Sequence, residues 1–365
     1  MKFCLSIVLV SVLLLGCSGN PPESKDSIKP PVAVDNDEAI KQLTALKAKF
    51  KKDGAGLTVE LDLRNSAVQD ADLAILQQLT KLRSLLLADT TITDAGLEHV
   101  GKLKDLTNLD LRECKISNAG LKQLNGLANL KALRMSNQSG KTTVDDDGLH
   151  ELAGLTKLKV LALDKVWLGT ADGLAKLAPL VELEEIYLAG TLTDDDALEK
   201  LSQFPKLRKL RISQNNITDT GLEHLAKLNL LEELDLSEVA QLTDDGMQQL
   251  SGLTNLKRLN LWRVPITDAG VAHLAPLVNM EWLNLDNIRE LTDDGLVHLQ
   301  GMTKLTFLHL GSTAVGDKGL SHLEHLKALK DLKVTRTAVT SAGVAELNKK
   351  LPQTAIQLEY LTPEE

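Results

Sequence analysis

The chain has 365 residues, a formal charge of −9 and 2% aromatic residues. Its lysines and arginines form no block along the sequence, which argues against nucleic acid as a partner, because phosphate binding needs a concentrated basic footprint. The length allows two or three ordinary domains, but a short repeat recurs over most of it and overrides that prior.

At the N-terminus, Lys2 and the apolar residues 5–15 read as a secretory leader, too short for a spanning helix of about 20 residues. The phrase Leu14-Leu15-Gly16-Cys17 resembles the lipobox of bacterial lipoproteins. That resemblance implies a signal peptide over residues 1–16, lipidation of Cys17, and an exported chain held to a membrane on its periplasmic or cell-surface face. An ordinary leader with a chance cysteine, or an uncleaved anchor, is the alternative. Each acyl CH₂ buried in the bilayer contributes about 0.8 kcal/mol. Cys4 lies in the leader, so Cys114 is left alone and no intramolecular disulfide is expected. Cys114 occupies a slot filled in other repeats by Ser66, Thr90, Asn215 and Thr313, and is expected to be a buried structural thiol.

Residues 17–36 form a tether, with Pro21, Pro22, Pro30 and Pro31 among polar spacers and little to bury. Residues 37–55 are the N-terminal cap, and one amphipathic helix is expected over 37–52. Ile40, Leu43, Leu46 and Phe50 share its apolar face, and Asp35, Asn36 or Asp37 caps its start. Residues 56–350 carry the repeats. One copy reads Leu82-Arg-Ser-Leu85-Leu-Leu87, then Ile92-Thr-Asp-Ala-Gly96-Leu97. Its Gly96 position recurs as Asp72, Gly120, Gly148, Gly173, Ala197, Gly221, Gly246, Gly270, Gly295, Gly319 and Gly343, at intervals of 24 or 25 residues apart from a single 28.

The first half of each copy alternates like a strand. The second half, as in Gly221-Leu222-Glu-His-Leu225-Ala-Lys-Leu228, suits a short helix, with Thr93, Thr218, Thr267 or Thr340 placed to cap it. The leucines of both halves can be buried only against each other and the next copy. Residues 351–365 are expected to close the far end: Leu351-Pro352 stops the last helix, Ile356-Gln-Leu358 adds an edge strand, and a charged tail follows.

These motifs resemble the leucine-rich repeats of the ribonuclease-inhibitor-like class over residues 56–358. The Ile-Thr-Asp-Ala-Gly-Leu phrase is most similar to the cysteine-containing repeats of F-box substrate receptors and exported bacterial relatives. The expected fold is an α/β solenoid, a horseshoe with a parallel sheet on the concave face and short helices on the convex face. The resemblance implies binding of a protein on the concave face. No F-box precedes the repeats, so adaptor activity does not carry over.

Three rows of variable residues flank the strand leucines and are expected on the concave surface. Of eight aromatics beyond the leader, Tyr187, Trp262, Trp282 and Phe307 fall in these rows. Trp282 and Phe307 belong to adjacent strands, about 5 Å apart, with Arg258 placed for a cation–π contact. Trp262 lies roughly 13 Å further along its strand, bordering the cluster. The candidate ligand site is Arg258, Asn260, Trp262, Trp282, Asn284, Phe307 and His309, with Tyr187 and Arg211 beyond. The bland alternative is that the rings merely cover strand backbone and one another. Lys209, Glu233 and Arg258 alternate in sign and read as an exposed ion ladder of little energetic weight.

No catalytic constellation, cofactor motif or metal set emerges. His99, His224, His273, His298 and His322 share one repeat position, but successive helices sit about 8–10 Å apart, too far for zinc donors at about 2 Å. The acidic runs at Asp145–Asp147, Asp194–Asp196, Asp244–Asp245 and Asp293–Asp294 lie at helix starts, where the dipole favours carboxylates. They lack a calcium loop. Gly140-Lys141-Thr142 fails as a phosphate loop because Met135 stands where the first glycine belongs. Residues 138–143 instead carry the extra length of the 28-residue interval and should bulge as a loop. The expectation is a non-enzymatic, membrane-anchored module that binds a protein or cell-envelope ligand. A passive envelope scaffold is the alternative.

Overall fold

The computed structural model describes residues 35–359, so the leader, Cys17, most of the tether and the end of the tail lie outside the described residues. Among the described residues, fourteen strands form one sheet in sequence order. From Thr58–Asp62 to Ala355–Gln357 every neighbouring pair is parallel, and like positions sit side by side: Leu234 pairs with Leu210 on one flank and Leu259 on the other.

Each coil turns from strand to helix and back. The helices are short, some α-helical (Asp219–Leu225) and some 3₁₀ (Asp294–Leu299). The Leu-x-x-Leu spacing suits the tighter form, in which residues three apart share a face. Strand and helix leucines of a coil meet inside, and Leu222, Leu225, Leu234 and Leu236 are at most 2% exposed. One continuous core runs from Ala39 to Leu351, each buried leucine contributing about 1.5–3 kcal/mol before chain entropy is counted.

The left-handed turn that leaves most of the described strands is made without glycine except at Gly190. Asn65, Gln214 and Ser312 are examples, with φ of 55°, 58° and 56°. The coil-to-coil bond from Gln214 N–H to the Ser237 carbonyl (2.9 Å) extends the ladder past the strand end. Beneath the turn sits the slot that Cys114 occupies. Thr90 Oγ1 donates to the Leu87 carbonyl (2.6 Å), and Asn215 Nδ2 donates to the Leu188 and Ile212 carbonyls (2.7 and 3.0 Å). Cys114 is fully buried, with Sγ 3.2 Å from the Leu87 oxygen, and burial raises its pKa. It is a packed thiol, as its slot implies.

The aspartates at the helix starts bind one coil to the next. Asp195 accepts from the backbone N–H (2.8 Å) and hydroxyl (2.6 Å) of Thr218, the cap of the following helix. Asp70 does the same for Thr93, Asp244 for Thr267 and Asp317 for Thr340. Asp145 and Asp194 cap their own helices. The recurring glycine makes room for this contact: a Cβ on Gly221 would stand 2.3 Å from Asp195 Oδ1. The exception supports the rule. Ala197 stands where other coils have glycine, and the ladder position of the coil before it is held by Ala171, which has no carboxylate to accommodate.

The N-terminal cap differs from the single helix expected over 37–52. The helix is Asp37–Ala45, capped by Asn36 through a bond from Ala39 N–H (3.0 Å). Lys47 then adopts a φ of 60° and reverses the chain. Phe50 belongs instead to the strand Lys49–Lys52, which pairs antiparallel with Thr58–Asp62. A lysine on either side of one aromatic is strand alternation, and this strand closes the sheet edge that a continued helix would have left open. Asp35 joins cap to repeats through the Thr58 N–H and hydroxyl (2.8 and 2.6 Å). At the other end, Ser341–Lys350 stops before Leu351, and the final strand is Ala355–Gln357, one residue earlier than expected.

The 28-residue interval makes an ordered loop. Glu113 accepts from Ser136 Oγ (2.5 Å), Gln138 N–H (2.9 Å) and Ser139 N–H (2.7 Å). Asn137 closes it through Thr142, whose hydroxyl reaches the Cys114 carbonyl (2.8 Å). Burial works against the Glu113 charge, yet these donors outweigh it and hold the pKa down at about 2.

Candidate functional site

The first two rows of variable residues stand on the concave face because parallel, in-register strands turn the same positions outward in every coil. The third row departs from expectation. Ala88, Ala189, Ser213, Ser237 and Thr335 are buried, since the chain begins its turn there and tucks these small side chains between coils. Of the candidate residues in that row, Trp262 remains half-exposed.

Trp282 and Phe307, paired across neighbouring strands, stack with centroids 5.0 Å apart and planes 6° from parallel. The Arg258 guanidinium lies over the Trp282 ring at 4.6 Å. On the other side Lys333 reaches the Phe307 ring at 5.5 Å, and His309 meets it edge-on at 6.4 Å. Both faces of the stack are thus occupied by cations. Burial lowers the His309 pKa, with Asp286, 4.0 Å away, acting in the opposite sense.

Seven of the nine candidates fall into two overlapping groups that share Arg258 and Trp282. One is the stack with His309. The other lines a shallow depression of about 190 Å³, where Tyr187, Arg211, Arg258, Asn260 and Trp282 are brought together with Lys209, Glu233 and Asp235. Asn284 bridges strands by donating to Asn260 Oδ1 (3.0 Å). Trp262 stands apart from the stack, under Arg263 at 5.4 Å.

The charges of this depression are paired across strands. Arg211 lies between Asp164 (3.2 Å) and Asp235 (3.5 Å), and Lys209 between Glu185 (3.5 Å) and Glu233 (3.3 Å). Burial disfavours the Lys209 charge, but the two glutamates prevail and raise its pKa. Burial raises the Asp164 pKa. Burial also raises that of Tyr187, helped by its bond to Glu185 (2.8 Å). Asp164, Asp235 and Lys333 escaped the sequence reading, as did the place of Lys209 and Glu233 in the depression. Their row positions were legible, but the opposite charges that hold them lie one or two coils away.

Beside the stack, Asp286 Oδ1 and Thr335 Oγ1 are buried without a hydrogen-bond partner among the described residues. A Cβ on Gly311 would come within 3.0 Å of both and of His309 Nε2, so a glycine here keeps the end of the cluster open. Among the described residues no group of three or more His, Cys, Asp or Glu is placed to share a metal ion.

A family profile described as "Leucine Rich repeat" matches residues 78–100, 102–124, 205–226 and 301–323. No curated protein matches the chain. Among solved structures, the chain is similar to an internalin, InlF, from Listeria monocytogenes, at 19% identity over 90% of this chain and 96% of that one, with a TM-score of 0.59. It is also similar to a chain of the Rad7–Elc1 complex from yeast, at 20% identity over 79% of this chain and 83% of that one, with a TM-score of 0.52. By its repeated motif and by its backbone path, the chain folds as a leucine-rich-repeat solenoid.

Proposed function

We propose that this chain is a membrane-anchored, non-enzymatic binding module that takes a protein or cell-envelope ligand on the C-terminal half of its concave face. The observation that carries this reading is the Trp282–Phe307 stack with Arg258 laid on it, half-exposed on a surface otherwise poor in rings. Trp, Tyr and Arg dominate binding hot spots. A stack already ordered in the free chain loses little side-chain entropy on binding. The similar backbone within the Rad7–Elc1 complex supports a protein as the class of partner. The anchor rests on the likeness of residues 14–17 to a lipobox, and the ribonuclease-inhibitor-like class on the convex helices and the Gly-Leu-x-x-Leu phrase.

A photo-crosslinking residue at Asn284 in the native membrane should capture one partner, whose capture is lost in Trp282→Ala and retained when convex-face residues are changed. Capture of many proteins, unaffected by Trp282→Ala, would instead establish the passive scaffold. Cys17→Ser should move the chain out of the membrane fraction. If it stays there, the anchor is not this cysteine.

A further inference from the structure

A second surface lies at the other end of the strands, in the N-terminal half. Lys81 and Arg83 precede the strand Ser84–Leu86, Asp105 and Thr107 precede Asn108–Asp110, Asn129 and Lys131 precede Ala132–Ser136, and Lys157 precedes Val160–Asp164. Stacking brings these positions together around a depression of about 510 Å³ on the rim. Four cations there face one carboxylate, in a chain whose formal charge is −9. Lys81, Arg83 and Lys131 make no side-chain hydrogen bond or ion pair with any described residue, and Lys157 donates only to Asn129 Oδ1 (2.8 Å).

The same rim is self-neutralised further on. Lys159 pairs with Glu184 (2.6 Å), Lys206 with Glu182 (2.6 Å) and Lys257 with Glu232 (2.8 Å), and Arg208 also meets Glu232. Further on, Lys304 donates only to Asn279 (2.7 Å) and Lys330 has no ion pair among the described residues, so what sets the first coils apart is four such cations gathered around one depression.

We propose that this rim is a binding site for an extended anionic glycan carrying sulfate or phosphate esters. Three features select that class. The lining has no aromatic ring on which a nucleobase could stack. It has no apolar side chain to anchor a peptide or protein. Between the cations it places the Thr107 hydroxyl and the Asn129 amide, which suit sugar hydroxyls. The cations spread over four neighbouring strands: Arg83 and Lys131 stand two strands apart, about 10 Å, while Lys81 and Lys157, two residues further from the strand starts, mark the first and fourth. That spacing serves charges repeated along an extended chain better than a single compact anion.

The test is titration of the full chain with a short heparin oligosaccharide at several salt concentrations. Binding is expected, weakening steeply with salt. Combining Arg83→Glu and Lys131→Glu should weaken it by at least about tenfold, while Lys304→Glu, on the same rim but in the C-terminal half, should change it by less than about twofold. These side chains are exposed, so all variants should melt like the parent. Absence of binding near about 0.15 M salt would overturn the proposal, as would an equal loss in the Lys304 variant. Tighter binding of a single-stranded oligonucleotide, or of vesicles rich in anionic lipid, would overturn the assignment to a glycan.

Discussion

The two halves of this solenoid share one backbone and differ in surface chemistry. In the N-terminal coils the concave charges are settled within a strand end: Arg64 pairs with Asp62 (2.8 Å) and Arg112 with Asp110 (2.7 Å), each two residues away. The rest of that stretch mixes Ser84, Ala132 and Val160 with Arg134, which donates across strands to Asn108 (2.7 Å), and carries no ring, while the unpaired cations are on the rim. In the C-terminal coils the concave face carries the rings, and charges pair across strands. A solenoid allows this because each coil needs only its neighbours for stability. Leucines determine the path, and the positions between them are free to diverge along the arc.

The separation can be broken from the inside. Leu234 is 2% exposed between Leu210 and Leu259, so Leu234→Asp buries an unpaired charge at the middle of the stack. A loss of roughly 3–5 kcal/mol is expected, enough to unfold the middle coils and uncouple the halves in denaturant melts. A parent-like melt would show that the register is wrong. Trp282→Ala should act only on the C-terminal surface. It is expected to weaken partner binding by about 2 kcal/mol or more with little change in melting, and to leave the basic rim untouched.

The aspartate ladder offers a smaller test that spans both halves. Gly221→Ala drives a methyl against Asp195 and should cost about 1–3 kcal/mol. Ala197→Gly, where no such contact exists, should cost less than about 1 kcal/mol. Equal effects would mean that the glycine does not serve the ladder. The smallest expected effect lies in the N-terminal half. The pKa of Glu113 falls from an ordinary 4.5 to about 2 in the folded chain. Its stabilisation is therefore complete above pH 4.5 and lost as pH falls toward 2. Hydrogen exchange at Gln138 and Ser139 should speed up over that window, and Glu113→Gln should show the faster exchange already at neutral pH.

Much of the fold was legible because leucine periodicity and the Gly96-type anchor are local patterns. The cap was misread where Lys47 turns the chain: Ile40, Leu43, Leu46 and Phe50 fit a helical face, and the Lys49-Phe50-Lys51 alternation was too short to outweigh it. The stack of Trp282, Phe307 and Arg258 was legible because adjacent coils place like positions side by side. The third row was misjudged because its burial depends on how the next coil covers the turn. The acidic runs were read as helix-dipole partners. Their bonds to Thr218 and Thr267 join residues 23 apart in sequence.

The sequence by itself determined the coil length, the two leucine faces, the polar slot that holds Cys114 and the order of the strands, all consequences of spacing within one repeat. Stacking decided the rest: the aspartate–threonine ladder, the cross-strand ion pairs, the shelter of the third row and the gathering of Lys81, Arg83, Lys131 and Lys157 into one depression. The physical reason is distance. Residues some two dozen positions apart in the chain come to lie on neighbouring strands about 4.8 Å apart, and at that range charge, bonding and steric fit depend on partners that no local stretch of sequence contains.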